Sequence, residues 1–401
     1  MTSTDPNDLS FVAELGSRAL FPDLKAAVYA NHAAISPPSI AVRHSVLEAI
    51  EDFGRHGADA FSKWIGARKR TKTSLGRLLS ADADDIALVP NTTAGLNAIA
   101  MCFPWTAGDT VVVFKGEFPT NVTPWQQAAK AFDLNIHFLD LEPLAADGGS
   151  DLWPLEQALK AGVRLVAISV VQFQTGLRSP VNDIGALCHR YGAQLCVDGI
   201  QGVGALPTEL QNVDYLAAGG HKWLMGLEGA GLLYIAPGRA DELQKNLSGW
   251  LSHEDPLSFL FNGPNLLRYD RPIRKSADFL EGGALNTIGY AGLGASVNLL
   301  NQLGPEAIFA HIQAWHDALE PGLLERGFVS LRASHVSQRS GVLSVRPRAD
   351  VDVLDLYAHL GHLGIACTTP DGYLRFAPHW PNGLDEADQI LSAIDDYAPG
   401  R

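Results

Sequence analysis

Cys196-Val-Asp198-Gly-Ile-Gln201-Gly-Val-Gly204, followed by Gly219-Gly220-His221-Lys222-Trp223, is the part of the chain on which its architecture turns. Residues 195–198 form an apolar run that stops on a carboxylate and then on glycine. In open α/β sheets ligands bind outside the carboxyl ends of the strands, so Asp198 is predicted to face a crevice. A second short apolar run, residues 213–218, ends just before Lys222. Two neighbouring strand ends would then aim a carboxylate and an amine into one crevice.

Further apolar runs lie outward from this centre, at residues 86–90, 110–114, 163–173 and 231–237, bounded by Gly, Pro or Asp. They lack strict polar alternation, which predicts strands covered on both faces, as in a parallel sheet between helices. Helical patterns over 93–102, 121–132 and 180–191 fall between them and give an α/β layered domain. Beyond about residue 280 the texture changes. Helices are predicted over 287–303, 305–319 and 351–363, with short strands at 327–333, 341–345, 364–368 and 372–376, a separate α+β unit. The expected division is an N-terminal segment, 1–25, packing on the small unit, then a large α/β domain over 26–280 and a small C-terminal domain over 281–401.

At about 150 residues per domain, a length of 401 residues admits two or three domains. With 46% hydrophobic and 18% charged residues the chain can bury large cores, which opposes disorder. Thirty Lys and Arg stand against 44 Asp and Glu, a formal charge of −14. That balance opposes a nucleic-acid partner and an anionic-membrane surface, both of which need basic excess. The first residues have no basic start, apolar core or small-residue cleavage site, so no secretory signal is expected. No run approaches the roughly 18 apolar residues of a membrane span. Cys102, Cys188, Cys196 and Cys367 form no CxxC pair, which predicts neither a metal site nor a disulfide framework. A cytoplasmic protein is the expectation. The basic run Arg68-Lys69-Arg70 with Lys72 is read as the solvated face of a helix.

The Asp198 and Lys222 pair is what pyridoxal phosphate chemistry requires. A lysine amine forms a Schiff base with the cofactor aldehyde, and a carboxylate keeps the pyridine nitrogen protonated so that the ring accepts electrons from a carbanion. An ordinary aspartate is ionised at neutral pH and suits that role. The lysine must react as a free amine, so burial or neighbouring cations must lower its pKa. Asn91-Thr92-Thr93-Ala94-Gly95 follows a strand and opens a helix, where free N–H groups and the helix dipole make an anion site or a plain N-cap.

The stretch from Val197 to Pro207, with that from Gly219 to Tyr234, resembles the cofactor-binding core of class V aminotransferases. These fold-type-I pyridoxal phosphate enzymes include cysteine desulfurases, kynureninase and isopenicillin N epimerase-like proteins. The likeness runs from about Tyr29 to Asp388. It implies a large domain with a mostly parallel seven-stranded sheet between helices, a smaller α+β domain, and a homodimer with a shared active site. It also implies pyridoxal 5'-phosphate on Lys222, Asp198 at the ring nitrogen, Gln201 at the phenolic oxygen and His221 near the phosphate. Thr92 and Thr93 match the phosphate-holding segment. Phe118, in Gly116-Glu117-Phe118-Pro119, matches the aromatic residue that stacks on the ring. Asn31 matches the loop bordering the substrate pocket, and Arg375 the residue that clamps a substrate α-carboxylate.

Four positions depart from the family pattern. Phe173, between Gln172 and Gln174, stands where desulfurases carry asparagine, so a glutamine, Gln174 above all, is expected at the substrate. Ala284, in the segment that reaches the partner's cofactor phosphate, replaces a frequent threonine, and Gly219 a frequent serine. Cys367 lies in a predicted strand, and a buried packing role is expected for it, which disfavours direct cysteine desulfuration. The expected function is that of a class V aminotransferase-like enzyme acting on an amino acid or related amine through an external aldimine and α-carbanion. A lyase or an epimerase would use the same residues. The rival from another class is a binding protein that keeps the fold without the reaction. A dinucleotide dehydrogenase and a nucleoside triphosphatase lack their glycine-rich motifs.

Overall fold

The apolar runs fold as strands because both of their faces are covered. In a computed structural model describing residues 11–145 and 150–397, seven strands form the central sheet. They are β1 (Ile86–Val89), β2 (Thr110–Phe114), β3 (Asn135–Leu139), β4 (Leu165–Ser169), β5 (Gln194–Asp198), β6 (Tyr215–Gly219) and β7 (Gly231–Ile235). Their order is β1-β7-β6-β5-β4-β2-β3. Only β7 runs antiparallel to its neighbours. Along β4, Val166 and Ile168 enter the core on one face of the sheet, and Leu165 and Ala167 the core on the other. Each such side chain contributes about 1.5–3 kcal/mol when fully buried, apart from the small alanine. The expected α/β architecture is therefore the observed one. β3 is the strand that apolar runs do not reveal, because it is a partly exposed edge with His137 and Phe138 facing water.

Helices α1 (Ile40–His56) and α2 (Phe61–Leu79) precede the sheet, and α3 (Thr92–Cys102), α4 (Thr123–Phe132), α5 (Trp153–Lys160) and α6 (Val181–Arg190) connect its strands. Helix α7 (Thr287–Leu303) packs on α1 and α2. That packing corrects one expectation. Helix α2 touches both α7 and β1, and part of its basic run faces inward: Lys72 Nζ is 3.7 Å from Glu281 Oε1, and Arg68 is half-buried. Glu281 Oε1 also accepts the Leu88 N–H at 2.9 Å.

The remaining core gathers around Trp315, Leu319, Leu343 and Leu374, and takes in Val28 and Ala30 from near the N-terminus. It is built by α8 (Pro305–Glu325), α9 (Val353–His362), α10 (Glu386–Asp395) and an antiparallel sheet of β8 (Val329–Ser330), β9 (Leu343–Arg346) and β10 (Leu374–Phe376). Residues 1–10 of the N-terminal segment lie outside the described residues. In the part that follows, Ala13 N–H reaches Gln302 Oε1 at 3.1 Å and Gly16 N–H reaches Trp380 O at 2.7 Å.

Two glycines bring the site's elements together. A Cβ on Gly95 would stand 2.7 Å from the Ala217 Cβ, so its absence lets α3 lie close on β6. Gly204 has φ +101°, and a Cβ there would come within 2.3 Å of Trp223 O. The turn after β5 can therefore press against the segment that carries Lys222.

Candidate active site

The ends of β4 and β5 stand side by side, next to the middle of β6. Register sets Ser169 of β4 opposite Asp198 of β5, and Asp198 opposite Ala217 of β6. Two residues beyond β6 the chain reaches His221 and Lys222. Asp198 is 1% exposed, and its Oδ1 accepts the Ile200 N–H at 2.9 Å. Burial pushes its pKa up to about 6, with Ile200 and Lys222 pulling it back. An ordinary aspartate was the expectation; in the chain alone this carboxyl is held for want of solvent, and a cation beside it would ionise it fully. Burial lowers Lys222 to about 8 against the pull of Asp198, and the positive charge of Arg375 assists. A reactive amine near neutral pH follows from that balance.

The backbone of Lys222 is held from two sides. Ser36 donates its hydroxyl proton to Lys222 O at 2.5 Å and its N–H to His221 O at 2.8 Å. His32 Nδ1 lies 2.7 Å from the same hydroxyl; with the Ser36 proton spent on Lys222, Nδ1 is the donor there. His379 Nδ1 accepts the Trp380 N–H at 2.7 Å, so its proton sits on Nε2, which donates to Trp223 O at 2.8 Å. Burial keeps both imidazoles neutral, His379 at a pKa of about 4. Gln201 bridges the two sides: Nε2 donates to Ala33 O at 3.1 Å and Oε1 accepts the Trp223 indole N–H at 2.8 Å. One of its two amide protons is unspent. His221 is partly buried, and burial, aided by Lys222, lowers its pKa against the pull of Glu228.

Asn91 caps α3, its Oδ1 accepting the Ala94 N–H at 2.8 Å. Thr92 Oγ1 accepts the Gly219 N–H at 2.9 Å, and Thr93 Oγ1 lies 2.9 Å from Thr120 Oγ1. The N–H groups of a helix's first turn have no intrahelical acceptor; Asn91 satisfies one of them, and the others are donors of the kind that suit an anion. Phe118 is no core residue. It is 44% exposed, its ring meets Phe173 edge-on at 5.3 Å, and Lys222 Nζ lies 5.7 Å from its centroid.

Arg375 is 5% exposed and has no carboxylate partner among the described residues. Its Nη1 donates to Phe173 O at 2.6 Å and its Nε to Thr368 Oγ1 at 3.1 Å. Burial lowers its pKa to about 10. A buried guanidinium without a counterion is costly until an anion arrives. Asn31 Oδ1 is likewise buried with no hydrogen-bond partner. Of the two glutamines, Gln172 is spent on its own turn, where its Oε1 accepts from Gln174 N–H and Thr175 N–H. Gln174 donates to Asp371 Oδ2 at 2.8 Å. Ala284 is exposed, and no described contact joins it to the other candidates.

Glu117 was given no role by its sequence pattern, yet it is a carboxyl at the end of β4, bonded to Ser169. The available signal was an acid three residues beyond β2 and next to Phe118. All four cysteines are free and buried, and burial pushes Cys188 and Cys367 up to about 12. No cluster of metal-ligating side chains occurs among the described residues.

The donor set fits pyridoxal phosphate: an amine of lowered pKa beside a buried carboxyl, a helix N-terminus for a phosphate, and an unpaired guanidinium with an orphaned amide oxygen for a substrate. The comparisons agree with that chemistry. The family described as aminotransferase class-V matches residues 43–373. A probable cysteine desulfurase from Pyrococcus abyssi is 27% identical over 334 residues, which cover 79% of this chain and 80% of that protein. The uncharacterized aminotransferase YcbU from Bacillus subtilis is 25% identical over 400 residues, covering 95% and 96%. Among solved structures, the cystine C-S lyase C-DES in complex with its product cysteine persulfide superposes with a TM-score of 0.82 at 22% identity, covering 92% of this chain and 98% of that one. The cysteine desulfurase CsdA from Escherichia coli gives 0.80 at 23% identity, covering 98% of both. At these identities the structural likeness speaks for the fold.

Proposed function

Because the chain belongs to the class-V aminotransferase family, a family of pyridoxal phosphate enzymes, we propose that it binds an amino acid or related amine and removes the α-proton with Lys222. The buried Lys222 and Asp198 pair carries this reading. When bound, pyridoxal phosphate supplies the electron sink for the charge left on the α-carbon. Asp198 holds a proton at the ring nitrogen, and that contact offsets the cost of its own burial. The α3 terminus, with Thr92, Thr93 and His221, takes the phosphate. Phe118 covers one face of the ring, and the spare Gln201 N–H serves the phenolic oxygen. Arg375 receives the substrate's carboxylate, Asn31 borders the pocket with Oδ1 free to accept from the substrate's amine, and Gln174 lies at the rim. In amino transfer, the main reading, Lys222 would hold the lifted proton and deliver it from the same side.

A second reading, carbon–sulfur cleavage without an enzyme-bound sulfur, is favoured by the names of the desulfurase relatives together with the buried cysteines. A sulfur carried on Cys367 would need a thiolate that burial disfavours. The two are separated by incubating the holoenzyme with a panel of amino acids, including cysteine and cystine, and assaying keto acid, sulfide and persulfide. Amino transfer expects stoichiometric keto acid without sulfide. Cys367→Ala is expected to leave turnover unchanged, and loss of turnover in that variant would restore a cysteine-based route.

The proposal includes a homodimer in which the exposed loop around Ala284 serves the partner's phosphate, and a division at about residue 280 in which the smaller unit supplies Arg375. Exposed Trp250, Phe261, Leu267 and Tyr269 support a covering partner. A cytoplasmic setting is supported by four unpaired cysteines. No helix among the described residues is long and apolar enough to cross a membrane.

Arg375 yields a direct test. Arg375→Leu removes the buried cation and is expected to raise KM for α-amino acids by about 10²-fold, as loss of a charge-assisted bidentate pair does. Simple amines without a carboxylate should be affected several-fold less. Equal losses for both classes would return Arg375 to a packing role.

A further inference from the structure

Glu117 takes no part in the steps above, yet its carboxyl is tied to the end of β4. It lies between β2 and Phe118. Its Oε1 accepts the Ser169 N–H at 2.6 Å, and its Oε2 accepts the Ser169 hydroxyl proton. Ser169 closes β4 directly opposite Asp198. An ionised carboxyl accepts at both oxygens, whereas a protonated one turns one of them into a donor. The anion accepts both Ser169 protons in charge-assisted bonds; the protonated acid keeps the second contact only by donating to Ser169 Oγ, in a weaker neutral bond.

We propose that Glu117 is a positioning residue whose carboxylate fastens the turn bearing Phe118 to the end of β4, and so fixes the aromatic face against which the cofactor ring is held. This rests on the roles proposed above for Phe118 and Lys222. Burial pushes the Glu117 pKa up to about 7; the two Ser169 bonds oppose the rise and the charge of Asp198 adds to it. The groups facing it are Asp198 from β5, the Ser169 hydroxyl from β4 and the Asn121 amide. Lys115, two residues earlier, is turned outward to Asp140 at 2.7 Å. Above that pKa both bonds are charge-assisted and the grip is strong; below it they are neutral and the grip weakens.

The test uses holoenzyme reconstituted with pyridoxal phosphate: wild type, Glu117→Gln, Phe118→Ala and the double variant. Visible circular dichroism of the bound cofactor is followed from about pH 5.5 to 8.5, a span that brackets the titration. The wild-type signal is expected to reach full amplitude through a one-proton step near 7. Glu117→Gln should lose that step and about half the amplitude, and in the Phe118→Ala background it should add nothing, as a shared pathway requires. An unchanged step in Glu117→Gln, or additive losses, overturns the proposal. Should Glu117→Gln fail to fold, Ser169→Ala, which removes one of the two donors, is expected to give the same step at reduced amplitude, and wild-type behaviour there overturns it. A chain that takes up no cofactor sinks the parent reading instead. The carboxylate's burial is then read in the cofactor-free chain, where the melting advantage of Glu117→Gln over wild type should widen as pH rises from about 5 to 8; a flat difference overturns the grip.

Discussion

Lys222→Met is expected to abolish turnover, by about a thousandfold or more, while making the cofactor-free chain more stable at pH 7. The loss follows from removing the one amine that serves both as the cofactor's attachment point and as the α-proton base. The gain follows from linkage. Burial lowers the Lys222 pKa from 10.5 to about 8. Between those values the unfolded chain binds more protons than the folded one, so stability rises with pH there, and below the folded pKa the full cost of the buried charge is present. Removing the charge relieves that cost, by about 2 kcal/mol. Thermal melting of the cofactor-free forms and stopped-flow turnover of the holoenzymes measure the two effects. A variant that is less stable at pH 7 would mark Lys222 as structural, and one that turns over normally would end the assignment.

Asp198→Asn is expected to lower kcat by about 10³-fold with little change in cofactor retention. An amide matches the shape of the carboxyl but does not hold a proton on the ring nitrogen, and preorganised charge of this kind contributes several kcal/mol to a transition state. Here the linkage has the opposite slope. Burial raises Asp198 from 3.8 to about 6. Between those values the folded chain binds the extra proton, so its stability falls as pH rises and the cost is complete above the folded pKa. The stabilisation of the cofactor-free chain by Asp198→Asn should therefore grow from about pH 4 to 6 and then level off. Melting curves across that interval check it; a destabilised variant at pH 7 would oppose the role.

The large sheet was legible because its strands are buried on both faces and so read as unbroken apolar runs. β3 was not, because an edge strand with His137 and Phe138 exposed carries no such signal. Helix α2 shows the opposite error. Charge runs usually face water, and nothing local in Arg68 or Lys72 announces Glu281, which lies more than 200 residues away in the chain and stands 3.7 Å from Lys72. In the site, Asp198 and Lys222 were legible from strand ends and motif. The direction of the Asp198 shift was not, since burial is a property of the folded environment. Glu117 escaped for the same reason: a lone acid after a strand has meaning only when Ser169 of another strand lies within hydrogen-bond reach.

The carbonyls of Lys222 and Trp223 are gripped by Ser36 and His379. A hinge pinned on both sides leaves the amine only the torsions of its own four-carbon arm, and its reach is an arc. An arm that swings from a fixed pivot approaches a bound molecule from one flank. The hydrogen it lifts and the one it delivers travel along that flank, so amino transfer is expected to be confined to one hand of the amino acid, and inverting that hand needs a second acid across the cleft.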